Sequence, residues 1–484
     1  MEPQKLSGKS KLSYALGAVG KDMVYMLSAS YVLYYFQDLL GVKAWIMGII
    51  LLAARVFDAF NDPIMGAVVA KTRTRWGKFR PWLMIGTVTN AVILYLMFAA
   101  PLDLSARGMV AYAAVFYILW GVTYTMMDIP YWSMIPAFTQ GGKERENLTT
   151  IARTAAGVGA AIVTILTMKA VPWLGRLFAG TKAGDQMVEI VGFKWFALII
   201  GVLFILFIGL TCLNIKEKST AEMKSASVGE MFKALIQNDQ AMTVTVAIVL
   251  VNTAVYITSN LVIYFFKYDF GTTGWNDAYV LFNMFGGAIQ VLSMMLFFPL
   301  LRKKFSSLQI FYICLGMAVA GYLVLLGLAF INMSSVYLLF IPGFLIFAAN
   351  GMLTVITTVF LANTVDYGEL KNKRRDESVI FSMQTFVVKL ASGIAALAAS
   401  ICLSVNKLKE GTEVTEEMKN VDWSLGVSQA AKTGLRMTMT VIPIIGLIIA
   451  FLWFRKKFIL NDEKVSEIAE EVRKLHAEEA AEAE

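Results

Sequence analysis

The chain has 484 residues, of which 57% are hydrophobic and only 16% are charged, with a formal net charge of +8. Soluble proteins carry about 25% charged residues, so this composition excludes an ordinary soluble globular protein. Three cysteines and a single histidine, His476, exclude a disulfide framework and make histidine-based catalysis or metal chemistry inside a membrane untenable.

Apolar runs of twenty or more residues recur along the chain, and each is long enough to cross a bilayer. A β-barrel is disfavoured because barrel strands alternate apolar and polar residues in segments of about ten. The sequence therefore predicts an all-α membrane protein with twelve transmembrane helices. Their predicted limits are 12–40, 44–70, 82–101, 108–137, 148–173, 191–214, 238–268, 274–301, 308–331, 335–365, 377–406 and 430–455.

A polar stretch after the sixth span divides the chain into two sets of six spans. Two six-helix halves with a substrate at their interface form the architecture of the major facilitator class. We therefore predict a major facilitator fold built from two six-helix pseudo-repeats. The predicted parts are an N-terminal six-helix bundle at 1–214, a cytoplasmic middle loop at 215–237, a C-terminal six-helix bundle at 238–457 and a cytoplasmic tail helix at 458–484.

Basic residues are concentrated in alternate loops and at both chain ends. Examples are KTRTRWGKFRP after the second span and RKK after the last. By the positive-inside rule, both termini are predicted to be cytoplasmic. Since this pattern accounts for the net positive charge, no nucleic-acid partner is expected. The predicted setting is the bacterial inner membrane, with lipid as a partner and a monomer as the functional unit.

The second span contains ARVFDAFNDPIMG, which places Asp58 and Asp62 four residues apart on one helical face. A carboxylate at the bilayer centre costs about 2.5–3.5 kcal/mol on insertion scales. Two such groups also repel each other, and a bound cation or proton removes that conflict. We predict a cation site at this pair, completed by Asn61 and a threonine from a neighbouring helix. The alternative is that the pair forms assembly salt bridges with Arg55 or Lys389.

The fourth span contains WGVTYTMMDIPYWS, in which Tyr124, Asp128 and Trp132 are spaced by four and share a face. An aromatic ring stacks on the C–H face of a sugar, while a carboxylate accepts hydrogen bonds from its hydroxyl groups. This face therefore predicts a sugar site, the alternative being a packing stripe with one stray acid. Thr125 lies one position round the helix, within reach of the predicted cation site.

Two cations lie among these acids, Arg153 in the fifth span and Lys389 in the eleventh. Each is expected to donate to sugar hydroxyl groups or to balance the acids. Gln384 and Thr385 precede Lys389 and add hydrogen-bonding capacity, and Asp22 in the first span is a further acceptor. At 1.5 Å per residue, the buried charges lie about 8–18 Å from the cytoplasmic boundary. A shared depth predicts a polar cavity, because intramembrane charges face water or one another.

Two polar segments between spans allow more than one interpretation. KTRTRWGKFRP is either a topology signal or a gating latch against helix ends. Asp366 and Glu369, in VDYGELKNKRRDE, are expected to form salt bridges at the inner surface rather than to bind a ligand.

Six stretches together resemble the glycoside–pentoside–hexuronide:cation symporters, over nearly the entire chain up to the tail. They are LSYALGAVGKD, ARVFDAFNDPIMG, TRTRWGKFRPW, WGVTYTMMDIPYWS, NTVDYGE and MQTFVVK. The resemblance implies a major facilitator fold with alternating access. It implies a cation site of Asp58, Asp62, Asn61 and Thr125, with Arg55 as an accessory residue. It implies a sugar site of Asp22, Tyr124, Asp128, Trp132, Arg153 and Lys389.

The predicted function is cation-coupled import of a glycoside, pentoside or hexuronide. Na⁺ is the expected coupling cation, with H⁺ and Li⁺ left open, and no cofactor is expected. A lysolipid carrier of the same fold is the alternative within transport. A membrane enzyme lacks a catalytic constellation in this sequence, and a channel would not need an aromatic sugar site, so both are disfavoured.

Overall fold

The computed structural model describes residues 6–139, 142–180, 183–215, 233, 236–270, 275–331, 335–372, 377–408 and 422–482. All the regular structure within these ranges is helical. The predicted middle loop at 215–237 lies mostly outside the described residues, as does much of the predicted outer loop at 407–429.

Six long helices come from the first half of the chain. They are α1 (Gly8–Tyr34, followed by a π-helical segment, Tyr35–Leu39), α2 (Ala44–Lys71), α3 (Arg80–Met97), α4 (Ala106–Phe138), α5 (Gly142–Ala179) and α6 (Asp185–Asn214). Prolines lie inside α2, α4 and α5, which transmembrane helices tolerate because neighbouring groups satisfy the freed backbone.

Six more long helices and a tail helix follow. They are α7 (Asp239–Phe265, followed by a π-helical segment, Phe266–Phe270), α8 (Trp275–Leu292, continued by Ser293–Phe297 and Phe298–Arg302), α9 (Ser307–Phe330), α10 (Val336–Asn372), α11 (Glu377–Val405), α12 (Gln429–Lys457) and α13 (Asp462–Glu482). The twelve helices α1–α12 coincide in order and position with the twelve predicted spans.

Nine helices within the described ranges are long and apolar enough to cross a membrane, namely α4 to α12. The three that precede them are also long, but α1 carries Lys21 and Asp22 at its middle and α3 has only 18 residues. These features shorten the uninterrupted apolar stretch of α1 and α3, although both segments are helical.

The chain forms two compact units. The first comprises Met1–Asn238, Ala362–Phe386 and Ser466–Glu484, and the second comprises Asp239–Leu361 and Val387–Val465. Within the first unit, α1 packs against α5 and α6, and α4 packs against α2 and α3. Within the second unit, α12 packs against α7 and α9. The predicted division at 214 and 238 stays a prediction.

Small residues bring α5 and α6 into close contact. A Cβ atom added at Gly175 would collide with the carbonyl oxygen of Val188, and one added at Gly192 would collide with that of Val171. Close backbone approach at small residues is a common way for membrane helices to pack, because lipid supplies no hydrophobic drive for their association. Gly159 of α5 makes a similar approach to the backbone of Val19 in α1.

Several helices extend beyond the apolar runs that predicted them. The predicted fifth span begins at residue 148, whereas α5 begins at Gly142 and includes the polar sequence KERE. The predicted tenth span ends at 365, whereas α10 continues to Asn372. The extra turns are polar and lie next to each other in the first unit, where they form buried ion pairs described below.

Candidate functional site

Lys21 of α1 lies at the centre of a buried group of charges. Its side chain is only 4% exposed, and its Nζ atom is 2.9 Å from Oδ2 of Asp22 and 2.8 Å from Oδ1 of Asp128. It also donates a hydrogen bond of 3.3 Å to the Tyr124 hydroxyl. A buried ammonium group is costly unless it is paired, and here two carboxylates from two helices hold it.

Trp132 joins the same group from the next turn of α4. Its indole Nε1 donates to Oδ1 of Asp128 at 3.1 Å, and the guanidinium carbon of Arg153 lies 3.7 Å from the ring centre. Stacking of a guanidinium group on an aromatic face stabilises both partners. We call Lys21, Asp22, Tyr124, Asp128, Trp132 and Arg153 the central cluster.

A reciprocal tyrosine pair fixes α1 against α4 beside the central cluster. The Tyr131 hydroxyl donates to the Tyr14 carbonyl at 2.6 Å, and the Tyr14 hydroxyl donates to the Tyr131 carbonyl at 2.5 Å. The two rings stack with centres 4.4 Å apart, and both side chains are fully buried. This pair sets the register in which Lys21 meets Asp128.

The acids of α2 face α4 at two successive turns. Asp62 is fully buried, and its Oδ1 accepts a hydrogen bond of 3.0 Å from the Thr125 hydroxyl. One turn away, a Cβ atom added at Gly121 would lie 2.8 Å from Oδ1 of Asp58. The glycine therefore leaves room for the Asp58 carboxylate against α4.

Asn61 lies between these two acids in sequence. Its amide nitrogen is buried and has no hydrogen-bond partner among the described residues, which is uncommon for a buried polar atom. We call Asp58, Asn61, Asp62 and Thr125 the acid site. Two carboxylates, an amide and a hydroxyl group are the oxygen-bearing ligands that hard cations prefer.

Asn90 of α3 holds the part of α4 that faces the acid site. Its amide nitrogen donates to the Trp120 carbonyl and to the Thr123 hydroxyl, both at 2.9 Å. These bonds fix the helix on either side of Gly121, opposite Asp58. Asn90 is fully buried, and the sequence patterns alone did not indicate its role.

One helix, α4, connects the acid site to the central cluster. Thr125 bonds to Asp62, and Asp128, three residues further along the same helix, pairs with Lys21. Residues three apart lie on neighbouring positions of one helix face. The two groups of residues are therefore joined through a single turn of α4.

Four predicted residues lie apart from this arrangement or cannot be placed in it. Thr385 bonds to the carbonyl of Phe381 on its own helix, and among the described residues neither it nor Gln384 hydrogen-bonds to the central cluster. Lys389 is half-buried on α11 in the second unit. The side chain of Arg55 lies outside the described residues. The predicted roles of these four residues stay predictions.

Lys21 is the member of the central cluster that the sequence-based site prediction omitted. The signal was present, because an intramembrane lysine directly precedes Asp22 and is costly unless it is paired. A site prediction that gives basic residues within the spans the same weight as acidic ones would include Lys21.

A second set of ion pairs lies in the first unit, away from the central cluster. Arg145 is 1% exposed and lies 2.7 Å from Oδ2 of Asp366; it also donates to the Asn363 side chain at 3.2 Å. Glu369 contacts His476 of α13 at 2.6 Å. Asp366 thus forms the predicted salt bridge, and Glu369 pairs with a histidine, which makes a salt bridge when the histidine is protonated. Their position at the inner surface stays a prediction.

The basic segment between α2 and α3 also reaches a helix end. Lys78 lies 3.2 Å from Oε2 of Glu377, in the first turn of α11. Nearby, α2 also lies close to α11, because a Cβ atom added at Gly66 of α2 would collide with the Ser382 hydroxyl of α11. The contact is of the kind expected for a latch against helix ends.

Comparison with known proteins gives consistent results. The family described as MFS/sugar transport protein matches residues 13–462. The chain is 26% identical to a lactose permease of Lactobacillus delbrueckii subsp. bulgaricus, over 98% of this chain and 74% of the permease. It is 27% identical to a raffinose carrier protein of Pediococcus pentosaceus, over 96% and 71% of the two chains.

The fold also matches a solved structure at low sequence identity. An E. coli fucose:proton symporter superimposes with a TM-score of 0.64 at 13% identity, over 93% of this chain and 98% of the symporter. At this identity the similarity shows the fold alone, which is the predicted major facilitator fold. The chain is thus an integral membrane protein of the MFS/sugar transport protein family, and the resemblance noted in its sequence motifs is confirmed.

Proposed function

We propose that this protein is a cation:sugar symporter that imports its sugar by alternating access. The central cluster binds the sugar and the acid site binds the coupling cation. The observation that carries the proposal is the connection through α4. Within one turn of this helix, Thr125 donates a hydrogen bond to Asp62 and Asp128 forms a salt bridge with Lys21.

The chemistry of the central cluster suits a sugar. Asp22 and Asp128 accept from hydroxyl groups, while Lys21 and Arg153 donate to them, and Trp132 supplies an aromatic face. These groups pair with one another, so a sugar that binds there replaces existing hydrogen bonds with bonds to its own hydroxyl groups. The names of the lactose and raffinose relatives support a sugar as the transported solute.

The acid site suits a monovalent cation. It offers two carboxylates, from Asp58 and Asp62, together with the Thr125 hydroxyl that bonds to Asp62. Two carboxylates that repel each other become compatible when one cation or proton lies between them. A cation there holds Asp58 and Asp62 against Thr125, which already bonds to Asp62, and so fixes the part of α4 that carries Asp128. Na⁺ is the proposed ion, with H⁺ and Li⁺ as the other candidates.

Transport assays in proteoliposomes test this proposal. Uptake of labelled galactose, lactose and raffinose is measured with an inward Na⁺ gradient, an inward H⁺ gradient and no gradient. Asp62→Asn is expected to abolish gradient-driven accumulation while leaving sugar exchange at equilibrium. Asp103→Asn is the matched control, because Asp103 is exposed in the loop before α4. Accumulation by Asp62→Asn at the normal level would refute the acid site as the coupling site.

A further inference from the structure

The contacts between α1 and α4 form a ladder of side-chain pairs in one antiparallel register. Tyr14 pairs with Tyr131, Lys21 with Tyr124, and Tyr25 with Trp120. Seven residues and then four residues separate the successive rungs on both helices. Tyr25 therefore lies one turn beyond Lys21 on the same face of α1, about 6 Å along the helix axis.

The two outer rungs of this ladder differ in exposure. The Tyr14–Tyr131 rung is fully buried and hydrogen-bonded in both directions, so it closes the central cluster on that side. Tyr25, at the opposite end, is 37% exposed. The ladder thus ends in a closed rung on one side of the central cluster and in an accessible aromatic ring on the other.

Tyr25 belongs to an aromatic group that continues from the central cluster. Its ring centre lies 5.5 Å from that of Tyr124 and 6.1 Å from that of Trp120, and the Trp120 and Tyr124 rings stack at 5.3 Å. Tyr124 is itself bonded to Lys21. The Trp120 side chain is 6% exposed, and its indole N–H has no hydrogen-bond partner among the described residues.

Tyr25 is not at the positions of α1 that come closest to α5 and α6. Other positions of α1 make those contacts: Gly17 and Gly20 lie against α6, and Val19 lies against Gly159 of α5. Tyr25 instead shares the face of Lys21, which is directed at α4. Its exposed ring area therefore adjoins the central cluster.

We propose that Tyr25, with Trp120 and Tyr124 behind it, is a second sugar-ring subsite, and that the preferred substrate is a glycoside of at least two rings. The inference rests on the proposed sugar-transport function. The central cluster holds the first ring, and the next ring stacks on Tyr25 one helical turn away. That separation is comparable to the spacing of adjacent rings in a disaccharide. The mainly aromatic, uncharged surface suits a neutral ring.

Competition between matched mono- and disaccharides tests this subsite. The probes are galactose with lactose, glucose with cellobiose, and xylose with xylobiose, and the KM for uptake is measured for each pair. The wild type is expected to show a lower KM for the disaccharide of its preferred pair. Tyr25→Leu is expected to raise that KM about three- to tenfold, the size of one aromatic stacking contact, while the KM of the monosaccharide stays unchanged.

Two further variants separate stacking from general damage. Tyr25→Phe keeps the ring and is expected to retain the disaccharide preference. Tyr337→Leu replaces an exposed tyrosine whose ring contacts Phe340 in the second unit and is expected to change neither KM. An equal rise of both KM values in Tyr25→Leu, or a wild type that prefers the monosaccharide, would overturn the subsite but leave sugar transport standing. Uptake of no sugar by the wild type would overturn both proposals.

Discussion

At the residue scale, the central cluster depends on a lysine that neutralises two acids. Lys21 lies within 3 Å of carboxylate oxygens from both Asp22 and Asp128. Removing one partner of a buried ion pair is strongly destabilising, because it leaves a charge uncompensated. The cluster is therefore a set of interdependent groups in which the proposed sugar binding and local stability depend on the same contacts.

Lys21→Gln is expected to abolish measurable sugar binding and to destabilise the protein by about 3–5 kcal/mol. The reason is that Asp22 and Asp128 would lose the ammonium group that pairs with both of them. Thermal unfolding in detergent and sugar titration measure the two effects. Adding Asp128→Asn to Lys21→Gln should recover part of the stability without restoring binding. Lys9→Gln, at an exposed position of α1, is the control. Normal sugar affinity in Lys21→Gln would remove the lysine from the site.

Thr125 offers a milder test of the acid site. Hydrogen bonds to charged groups contribute about 1.5–3 kcal/mol, so Thr125→Val is expected to weaken cation affinity roughly 10- to 100-fold. Thr89→Val is a suitable control, since the Thr89 hydroxyl bonds only to carbonyls of its own helix. Cation titration followed by the change in sugar affinity is the measurement. Equal cation affinity in the two variants would contradict the role of the Thr125 hydroxyl.

The sequence predicted most residues of both groups because intramembrane charges are rare and costly. Asp58, Asp62, Asp128 and Arg153 stand out against apolar spans for that reason. Neutral polar residues and glycines that contact these charges do not stand out from the apolar sequence around them. Neither the reciprocal Tyr14–Tyr131 bonds nor the support from Asn90 could be predicted, because each depends on the register between helices that are distant in sequence.

At the scale of elements, apolar length predicted the helices, but small residues determine how they pack. Twelve apolar runs correspond to α1–α12, yet the polar turns that begin α5 and end α10 were assigned to loops. Those turns are helical because their charges pair with one another, as Arg145 does with Asp366. An apolar pattern cannot reveal a helix end that is stabilised by buried ion pairs.

Gly192 and Gly209 lie on the same helix and provide a matched pair of substitutions. A Cβ atom at Gly192 would collide with the Val171 carbonyl, whereas one at Gly209 meets no atom within 4 Å. Gly192→Ala is therefore expected to separate α6 from α5 and destabilise the protein by about 1–3 kcal/mol, as overpacking typically does. Gly209→Ala should be neutral or slightly stabilising. Unfolding temperatures in detergent that are equal for both variants would show that the α5–α6 contact is not tight.

At the scale of the whole molecule, alternating access requires a packed contact that breaks during the cycle. We propose that this contact lies in the first unit, where Arg145 of α5 and Lys78 before α3 pair with the acids Asp366 and Glu377. We expect these pairs to hold one closed state and to separate when the site opens on that side. Ion pairs suit this role, because they resist small displacements but are hydrated once they part.

Arg145→Gln is expected to favour the open state on this side, since it leaves Asp366 buried without its cation. A cysteine introduced at Ser378, which is fully buried, reports the opening through its alkylation rate. The rate should rise at least tenfold in Arg145→Gln and stay unchanged in Arg176→Gln, where the arginine is exposed at the far end of α5. An unchanged rate in Arg145→Gln would indicate that this contact is static.

The central claim is that a cation at the acid site strengthens sugar binding through α4. Coupling of this kind is a reciprocal free energy, so each ligand must raise the affinity of the other by the same factor. The most direct measurement is a titration of the purified protein with its preferred sugar, with and without Na⁺, at two pH values. The account predicts at least a fivefold higher sugar affinity with the coupling cation present, and loss of that increase in Asp62→Asn. A sugar affinity that stays the same with and without Na⁺ or Li⁺ and at both pH values would contradict this central claim.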